Sequence, residues 1–567
     1  MTSSELRKEF LNFFEKRGHK IVSPSSLLPA DPSVLFTTAG MQQFKPYYLG
    51  ASSPYGLNVA SCQKCFRTSD IDEVGDESHL TFIEMLGNFS FGGYFKEEAI
   101  KLAYEFLFKE LKLPLEDAIF TVFEGDQNVP FDEESTLIWK KLGISEKAIK
   151  KCPRADNFWG PTGNEGPCGP TTEIHLKGTE VWNLVFNEYY QDRNKKLTPL
   201  KQKGVDTGMG LERLAMIYQQ KNSVYETDLF LPILIEISGG GRGGWQNEKA
   251  KRIIADHIKG TVFLISEEIF PSNVERGYVL RRILRRAIRY GKVLGLDSGF
   301  LIPLAQKVIE IYKDIYPEVK SKEADILTII QKEGEKFEKT LAEGLKQFEK
   351  IASKGDISGI GAFHLYDTYG FPLELTEELA KEKGLIVDKK SFEEAFKKHQ
   401  EISRAGVEKK FGGVGKETGY ESAKLHTATH LLHSALRQVL GKHVKQMGSD
   451  ITPQRLRFDF SHPQKMTDKE IKKVEEIVNQ KIKEDLEVKK EEMAYEKAVE
   501  SGALALVKEK YPAKVTVYTI GNFSKEICAG PHVKQTAELG QFKIIKEESS
   551  GSGVRRIRGI LLSSSSR

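Results

Sequence analysis

The chain has 567 residues, with 39% hydrophobic and 29% charged side chains and a formal net charge of +4. A chain of this length can bury several cores, which excludes a single small module. The absence of a long apolar run, of a signal pattern and of paired cysteines predicts a soluble cytoplasmic protein without a membrane span.

The first block of the chain carries a candidate anion-binding site. Cys65–Thr68 and Thr81–Phe91 are predicted to form strands, joined by a charged loop that begins at Arg67. Further on, Asp206–Arg213 places small residues between a strand end and a helical sequence. Glycines let a ligand approach the backbone, and a helix start favours an anion. Arg67 and Arg213 could hold two phosphates of one nucleotide, although either arginine alone is more often part of a surface ion pair.

The middle of the chain is predicted to be helical and lies between two glycine-rich breaks, Ser238–Gly244 and Gly406–Gly419. Arg276–Lys292 carries six arginines and a lysine beside an apolar stripe. Guanidinium groups suit phosphate recognition, but a solvated or salt-bridged helix face remains an equal alternative. Ala324–Ala352 has the apolar spacing of one long amphipathic helix.

The last block contains two pairs of candidate metal ligands. His426 and His430 lie on a predicted helix, Ser422–Gly441, and residues four apart share a helix face. Cys528 and His532 flank an Ala-Gly-Pro turn that can aim both side chains inward. A set of three imidazoles and one thiolate suits zinc. Taken alone, the histidine pair could equally be a surface or hydrogen-bonded pair, since it lacks the inner Glu of a metalloprotease helix.

Three further features belong to this block. His433, one helical turn beyond the pair, is expected to support the metal site or to face solvent. Short β-type runs are predicted at Arg455–Ser461 and Val515–Ile520, and the serine run Ser563–Ser566 is predicted to be a disordered end.

Nine ordered motifs carry a resemblance to a known family over nearly the whole chain. They are Phe36–Phe44, Glu84–Phe91, Asp156–Trp159, Gly166–Pro170, Trp182–Phe186, Asp206–Arg213, Arg276–Arg282, Tyr366–Pro372 and His426–His430. The chain is similar to the alanyl-tRNA synthetases, which are class II aminoacyl-tRNA synthetases with their own editing domain. The resemblance implies an α+β multidomain fold: an antiparallel catalytic sheet with flanking helices, a helical tRNA-recognition domain and an α/β editing domain built around zinc.

The resemblance and the glycine-rich breaks together predict four segments. They are a catalytic domain over 1–237, a helical tRNA-recognition domain over 245–403, a linker over 404–421 and an editing domain with the zinc site over 422–567. The implied function is an alanine–tRNA ligase that activates alanine with ATP, charges tRNA(Ala) and hydrolyses mischarged Ser-tRNA(Ala) or Gly-tRNA(Ala). Editing is expected because a pocket sized for a methyl group cannot strongly reject glycine or serine.

The resemblance also implies roles in aminoacylation. Arg67 would contact the α-phosphate of ATP and Arg213 the γ-phosphate, with Mg²⁺ bound to the nucleotide. Asp206 would bind the α-ammonium group of alanine, so that the expected catalytic residues are Arg67, Asp206 and Arg213. Asn183 would lie near the alanine carboxylate, and Val185 would close the pocket around the methyl group. The expected ATP-binding residues are Arg67, Trp159, Val181, Trp182, Asn183, Gly210 and Arg213.

For tRNA, the resemblance implies that Asn273 and Asp367 read the G·U pair of the acceptor stem. The helix that carries Arg281, Arg282, Arg285 and Arg286 would then contact the RNA backbone without reading sequence. In the editing domain, Gln446 would face the mischarged amino acid, and the single zinc ion would be held by His426, His430, Cys528 and His532.

Three departures from the family pattern are visible. The loop Thr68–Gly75 is shorter than the common version and lacks its Lys and His, and Leu80 stands where a second His often occurs. The small β-barrel often found before the histidine helix is expected to be absent. The usual C-terminal dimerisation domain is also expected to be absent, which predicts a short, monomeric form.

Two other readings of the chain remain open at this point. The chain could have lost ligation and act as an RNA-binding or trans-editing hydrolase, although an intact set of Arg67, Trp159, Asp206 and Arg213 favours the ligase. The zinc could also be a purely structural staple, in which case its removal would unfold the domain.

Overall fold

A computed structural model of the protein describes residues 1–239, 247–399, 419–504, 514–551 and 553–562. The chain divides into two compact units, one of residues 1–357 with 364–387 and the other of residues 358–363 with 388–567. Most of the first glycine-rich break, nearly all of the predicted linker and the terminal serine run lie outside the described residues. The four predicted segment boundaries stay predictions.

A mixed sheet with a long antiparallel centre organises the first unit. Its strand order is β1-β2-β3-β9-β8-β7-β4-β5, with β6 paired to β7, and only the β1/β2 and β4/β5 pairs are parallel. The strands are β1 (Lys20–Ile21), β2 (Asn58–Phe66), β3 (Phe82–Ser90), β4 (Ala118–Phe123), β5 (Ile149–Cys152), β6 (Phe158–Trp159), β7 (Gly166–Leu176), β8 (Thr179–Gln191) and β9 (Leu197–Gly210). This sheet confirms the predicted fold class.

One glycine of the first unit is required by the close approach of two strands. A Cβ atom at Gly169 would lie 1.8 Å from the carbonyl oxygen of Phe186 on the neighbouring strand. The ladder between β7 and β8 shifts register at this point. Any side chain at position 169 would therefore clash with the neighbouring strand, which explains the glycine at this position of the Gly166–Pro170 motif.

Helices flank the sheet and continue into a helical region. In the first unit and across its boundary they are α1 (Ser3–Glu15), α2 (Lys45–Tyr48), α3 (Lys96–Tyr104), α4 (Glu133–Lys141), α5 (Arg154–Asn157), α6 (Leu211–Tyr218), α7 (Leu231–Gly239), α8 (Glu248–Ser266), α9 (Glu275–Leu294), α10 (Leu301–Tyr312), α11 (Pro317–Ser321), α12 (Glu323–Ala352), α13 (Gly359–Tyr369) and α14 (Leu373–Glu382). The predicted arginine-rich helix is α9, and the predicted long amphipathic helix is α12. A left-handed Gly295 ends α9, as helix C-termini commonly require.

Short irregular helical turns complete the local structure. A π-helical turn covers Glu105–Glu110, and 3₁₀ turns cover Gly40–Phe44, Ser69–Asp72, Glu146–Ala148, Val224–Glu226 and Thr536–Leu539. The turn at Ser69–Asp72 lies in the loop that follows Arg67, so this loop has regular structure of its own.

Buried charges fasten three helices to β3. Arg7 of α1 donates two hydrogen bonds to the Glu84 carboxylate at 2.9 and 2.7 Å, and the Tyr316 hydroxyl donates a third at 2.8 Å. Lys259 of α8 donates to Glu212 of α6 at 2.7 Å, and the backbone N–H of Glu84 donates to the same carboxylate at 3.2 Å. All four charged side chains are buried. Because these charges are removed from water, each depends on its partner for electrostatic stabilisation.

The second unit is built from two smaller antiparallel sheets. Their orders are β10-β11-β16-β15 and β12-β13-β14. The strands are β10 (Gln446–Thr452), β11 (Arg455–Ser461), β12 (Val488–Ala494), β13 (Lys514–Ile520), β14 (Ser524–Ile527), β15 (Gln541–Gly551) and β16 (Val554–Leu562). The helices are α15 (389–399), α16 (Tyr420–Leu440), α17 (Asp468–Lys483) and α18 (Tyr495–Glu500).

The histidine helix is oriented by its apolar side. Leu431 and Leu432 of α16 are fully buried in one core with Phe458 of β11 and Val474 of α17. Because this side of α16 packs on the four-stranded sheet, the helix is fixed in rotation about its own axis. Among the described residues, no helix is long and apolar enough to cross a membrane.

We expect Lys259→Met to lower the free energy of unfolding of the first unit by about 3–5 kcal/mol, because it leaves Glu212 buried without its counter-charge. Urea denaturation followed by tryptophan fluorescence measures this change, since all four tryptophans precede residue 246.

The double variant Lys259→Met/Glu212→Gln is the control for this prediction. It removes both charges but keeps an acceptor for the Glu84 backbone N–H, so we expect it to recover more than half of the lost stability. Equal instability of the single and double variants would contradict a charge-pair origin.

Candidate active sites and metal centre

One face of the central sheet gathers the residues predicted to bind alanine. Val185 of β8 lies opposite Asp206 of β9, and Asn183 lies opposite Gly208. Cross-strand partners project to the same face, and residues two apart on a strand share that face. Asn183, Val185 and Asp206 therefore line one surface, and Val181 belongs to the same face by alternation.

Asp206 is a buried carboxylate that lacks a counter-charge. The residue is 6% exposed, and no described residue donates a hydrogen bond to its side chain. Burial alone raises the pKa of Asp206 to about 7. A buried carboxylate without a partner is costly, so this position is prepared for a cationic ligand.

Asn183 presents a second acceptor on the same face. Its Nδ2 donates to Glu173 Oε1 at 2.8 Å, while its Oδ1 is buried without a hydrogen-bond partner among the described residues. Burial is the main cause that raises the pKa of Glu173, a residue that sequence reasoning missed. The only signal for Glu173 is the register that places it opposite Asn183, and this register cannot be read from sequence alone.

The two tryptophans predicted to line the adenylate site lie on opposite faces. Trp182 is fully buried against Phe10, Phe14 and Phe106, with ring centroids 5.8, 6.4 and 5.8 Å away. This placement contradicts the prediction for the Trp182 side chain, because alternate residues of a strand point to opposite faces.

Trp159 remains a candidate on the face that carries Asp206. Phe89 lies opposite Asp206 on β3, and it belongs to the apolar cluster against which Trp159 packs. Within the described part of the chain, the buried Trp159 Nε1 atom has no hydrogen-bond partner. The indole can therefore offer both a flat surface and a donor to a ligand.

Arg67 and Arg213 lie at the same end of the sheet. Arg67 follows β2 and Arg213 follows β9, and β3 runs antiparallel between these two strands. Arg67 Nε donates to the Thr38 carbonyl at 3.4 Å, and Arg213 Nη1 donates to Glu180 Oε2 at 3.0 Å. Gly210 opposes Met85 just before α6, and the side chain nearest to a Cβ atom at this position would be that of Arg213, at 3.9 Å. Two cationic groups therefore flank one strand, as two phosphates of a nucleotide require.

A separate cleft of the helical region brings the predicted RNA readers together. Asn273 and Asp367 both line it, with Tyr278, Lys336 and Thr340 among the other lining residues. Arg281 donates a hydrogen bond to Asn273 Oδ1, which leaves the Asn273 amide N–H groups directed elsewhere. The cleft thus combines an amide donor with a carboxylate acceptor.

Four arginines of α9 are held by acidic side chains and do not form an exposed surface, and their predicted contact with the RNA backbone stays a prediction. Arg281, Arg285 and Arg286 are each 6% exposed. The first two bind Glu333 of α12, Arg286 binds Glu378 of α14, and Arg282 binds Asp72 and Glu374. Acidic residues remote in sequence neutralise the helix, so the salt-bridged alternative was the correct interpretation of its charge.

The four predicted metal ligands converge in the second unit. One ligand atom from each of His426, His430, Cys528 and His532 lies within 4.8 Å of the others. Cys528 Sγ is 3.3 Å from His426 Nε2. Burial would raise the pKa of the Cys528 thiol, but hydrogen bonds from the three imidazoles lower it to about 3. A thiolate among imidazole nitrogens is the donor set of a tetrahedral zinc site.

Each histidine uses its Nδ1 atom to hold a fixed orientation. His426 Nδ1 donates to the Pro531 carbonyl at 3.1 Å, and His430 Nδ1 lies 3.1 Å from Glu526 Oε2. His532 Nδ1 lies 3.1 Å from the Thr427 hydroxyl, which donates its own proton to the Ala423 carbonyl. The Nε2 atoms are therefore left for a metal, and no described residue forms a hydrogen bond with the buried His532 Nε2.

Glu526 and Gly530 complete the metal centre; Gly530 belongs to the predicted Ala-Gly-Pro turn, whereas sequence reasoning missed Glu526. The Glu526 carboxylate contacts Nδ1 of His430 at 3.1 Å and Nδ1 of His433 at 3.0 Å. Of the two roles expected for His433, the structure therefore favours support of the metal site over exposure to solvent. A Cβ atom at Gly530 would lie 2.3 Å from His426 Cε1. The Cys-x-x-x-His spacing gave one signal for Gly530, whereas nothing local marks Glu526.

Gln446 lies at the start of β10. Its Nε2 donates to the Ser449 hydroxyl at 3.1 Å, and it opposes Phe460 on β11. No described contact joins Gln446 to the four metal ligands, so its editing role stays a prediction.

Comparisons with known proteins bear on both units. Residues 5–451 match the family described as "tRNA synthetases class II (A)", and residues 515–558 match "Threonyl and Alanyl tRNA synthetase second additional domain". The chain is 50% identical to an alanine–tRNA ligase of Borrelia hermsii, covering 99% of this chain and 100% of that protein. The corresponding enzyme of Treponema pallidum is 48% identical, with 99% and 98% covered. That of Dehalococcoides mccartyi is 39% identical, with 99% and 80% covered.

We expect Gly530→Ala to weaken zinc binding about tenfold, because the new methyl group displaces the His426 ring, and changes to the groups that orient a metal ligand typically cost about 10–100-fold in metal affinity. Competition with a chromophoric chelator measures the affinity. Gly419→Ala is the matched control, since a Cβ atom at Gly419 meets nothing within 4 Å. Equal affinity of the two variants would contradict this account.

Proposed function

Since this chain belongs to the alanine–tRNA ligase family of class II synthetases, we propose how its residues divide aminoacylation and editing. The enzyme activates alanine with ATP, transfers the alanyl group to tRNA(Ala) and removes wrongly attached amino acids in a separate editing domain. The proposal assigns the first two steps to the central sheet and the third to the zinc-type centre.

The unpaired carboxylate of Asp206 is the observation that carries the aminoacylation site. We assign it to the α-ammonium group of alanine, because a buried acid without a counter-ion gains most from a cationic ligand. The free Oδ1 of Asn183 suits the same ammonium group, whereas the sequence had placed Asn183 near the carboxylate. Val185, opposite Asp206, limits the side chain that fits beside them.

ATP is assigned to the end of the sheet where Arg67 and Arg213 lie. The alanine carboxylate attacks the α-phosphorus in line, and pyrophosphate leaves. Arg67 would neutralise charge that develops on the α-phosphate, while Arg213 would exchange Glu180 for the γ-phosphate. Val181 and Gly210 would lie along the nucleotide, and Trp159 would border it. Bound Mg²⁺ would supply further charge neutralisation on the phosphates.

The helical cleft is assigned to the acceptor stem of tRNA(Ala). A G·U pair exposes an unpaired amino group on G in the minor groove, and the Asp367 carboxylate can accept from it. The Asn273 amide, oriented by Arg281, can donate to a neighbouring base or sugar oxygen. Arg281 and Arg285 also line this cleft, whereas no RNA contact is proposed for Arg282 and Arg286.

The editing reaction is assigned to the second unit. The donor set fits zinc, and four protein ligands leave no open coordination position, as in sites that hold structure and orient neighbours. A bound zinc ion would tie α16 to the turn after β14. Gln446 is proposed to contact the mischarged amino acid, and the ester bond to the terminal ribose is hydrolysed.

We place this activity in the cytoplasm, where ATP and tRNA are available. All five cysteines are free, as a reducing compartment favours. The expected monomeric state stays a prediction.

We expect Asp206→Asn to lower kcat/KM for alanine roughly 30- to 150-fold, because a charge-assisted hydrogen bond to the ammonium group contributes about 2–3 kcal/mol. Alanine-dependent ATP–pyrophosphate exchange measures this, and deacylation of Ser-tRNA(Ala) should stay unchanged. Cys528→Ala should have the reverse pattern. No exchange by folded wild-type protein with any amino acid would instead favour an editing hydrolase, and normal deacylation by Cys528→Ala would refute the editing assignment.

We also expect a pH dependence of alanine activation. The carboxylate must be ionised to bind the ammonium group, and burial raises the pKa of Asp206 to about 7 in the free enzyme. At saturating ATP, kcat/KM for alanine should fall about tenfold per pH unit below this value. A flat profile down to pH 5.5 would show that Asp206 is not the group that binds alanine.

A further inference from the structure

The loop between β2 and β3, residues 67–81, is closed by contacts at both of its ends. The backbone N–H of Arg67 donates to the Thr81 carbonyl at 2.8 Å, which brings the two ends together. Near its middle, the Ile71 carbonyl accepts from Arg286 at 2.8 Å, and Asp72 accepts from Arg282 at 2.6 Å. Helix α9 therefore holds the loop that carries Arg67.

A second set of contacts holds the same loop through α8. Asp256 accepts from the Thr81 backbone N–H at 2.8 Å and from the Thr81 hydroxyl at 2.7 Å. The neighbouring His257 has its Nδ1 2.9 Å from Asp256 Oδ2 and its Nε2 3.1 Å from Arg286 Nη1. Thr81, Asp256, His257 and Arg286 thus form one continuous hydrogen-bonded chain that begins and ends on the Arg67 loop.

The protonation of this chain is fixed by its neighbours. A guanidinium group can only donate, so His257 Nε2 must accept from Arg286, and His257 Nδ1 must donate to Asp256. Asp256 and His257 are completely buried. Burial also lowers the pKa of His257, which agrees with a neutral ring. Each member therefore has one defined orientation, and Arg286 is fixed further by Glu378 at 2.9 Å.

We propose that Asp256, His257 and Arg286 are positioning residues for the activation of alanine by ATP, and that they act by holding the loop that presents Arg67 to the α-phosphate. This inference rests on the role assigned to Arg67 in the proposed function. None of the three residues is expected to touch the substrate. Misplacing a phosphate-binding group by about 1 Å can cost on the order of a hundredfold in rate, so supports of this kind affect activity strongly.

Helix α9 supplies a matched control for this role. Arg289 is 5% exposed, compared with 6% for Arg286, and both pair with acids of α14. Among the described residues, Arg289 contacts Glu378, Glu382 and the Tyr290 ring, and none of these contacts reaches the loop. If loss of packing or charge on α9 impairs the enzyme, substitution of either arginine should do so. If loss of loop positioning impairs it, only substitution of Arg286 should do so.

The test measures ATP–pyrophosphate exchange in Arg286→Gln and Arg289→Gln, with the Michaelis constants for ATP and alanine determined separately. We expect the Michaelis constant for ATP to rise about tenfold in Arg286→Gln, with less than a twofold change for alanine. Arg289→Gln should leave both constants near the wild-type values. Ser-tRNA(Ala) deacylation should stay unchanged in both variants.

Thr81→Val keeps the test decisive if Arg286→Gln fails to fold. It removes only the hydroxyl bond to Asp256, and we expect a smaller rise in the same ATP constant. Unchanged ATP constants in Thr81→Val and Arg286→Gln, or equal changes in Arg286→Gln and Arg289→Gln, would overturn the inference. Arg67→Ala distinguishes failure of this inference from failure of the proposed function. If the Michaelis constant for ATP stays normal in Arg67→Ala, the proposed role of Arg67 is wrong. If it rises in Arg67→Ala but stays normal in Arg286→Gln and Thr81→Val, only the positioning inference is wrong.

Discussion

The pairing of buried charges behind the central sheet is the constraint on which the first unit depends. Arg7 with Glu84 and Lys259 with Glu212 connect α1, α6 and α8 to the same strand, and each charge lacks water as an alternative partner. Glu212 directly precedes Arg213, and Glu84 lies one residue from Met85, which opposes Gly210. In contrast to these paired ions, Asp206 on the other face of the sheet has no counter-ion among the described residues.

The same principle explains the arginine-rich helix. Its guanidinium groups neutralise Glu333, Glu378 and Glu382, and so join α9 to α12 and α14. Charge density in one segment thus indicates where acidic partners must converge, and it does not by itself indicate nucleic acid. In this protein, RNA contact is proposed for a cleft of the helical region that is lined by Asn273 and Asp367.

Local spacing made much of the site predictable, and long-range register made the rest unpredictable. The spacing of His426 and His430, and of Cys528 and His532, correctly predicted a metal-type cluster. The helices around α9, α12 and α16 and the antiparallel sheet followed from periodicity and from the family resemblance. Sequence could not place Glu173 or Glu526, because each contacts a partner on another element. Trp182 was misassigned for a different reason: adjacent residues of a strand point to opposite faces, and its neighbour Asn183 lies on the face that carries Asp206.

The metal centre also has a consequence for the order of events during synthesis. Its ligands come from two segments separated by about a hundred residues, so His426 and His430 leave the ribosome well before Cys528. At roughly 5–20 residues per second, this delay is on the order of 5–20 s. During that interval α16 offers only half of the ligand set, and the closed centre can form only once β14 and the turn after it have emerged.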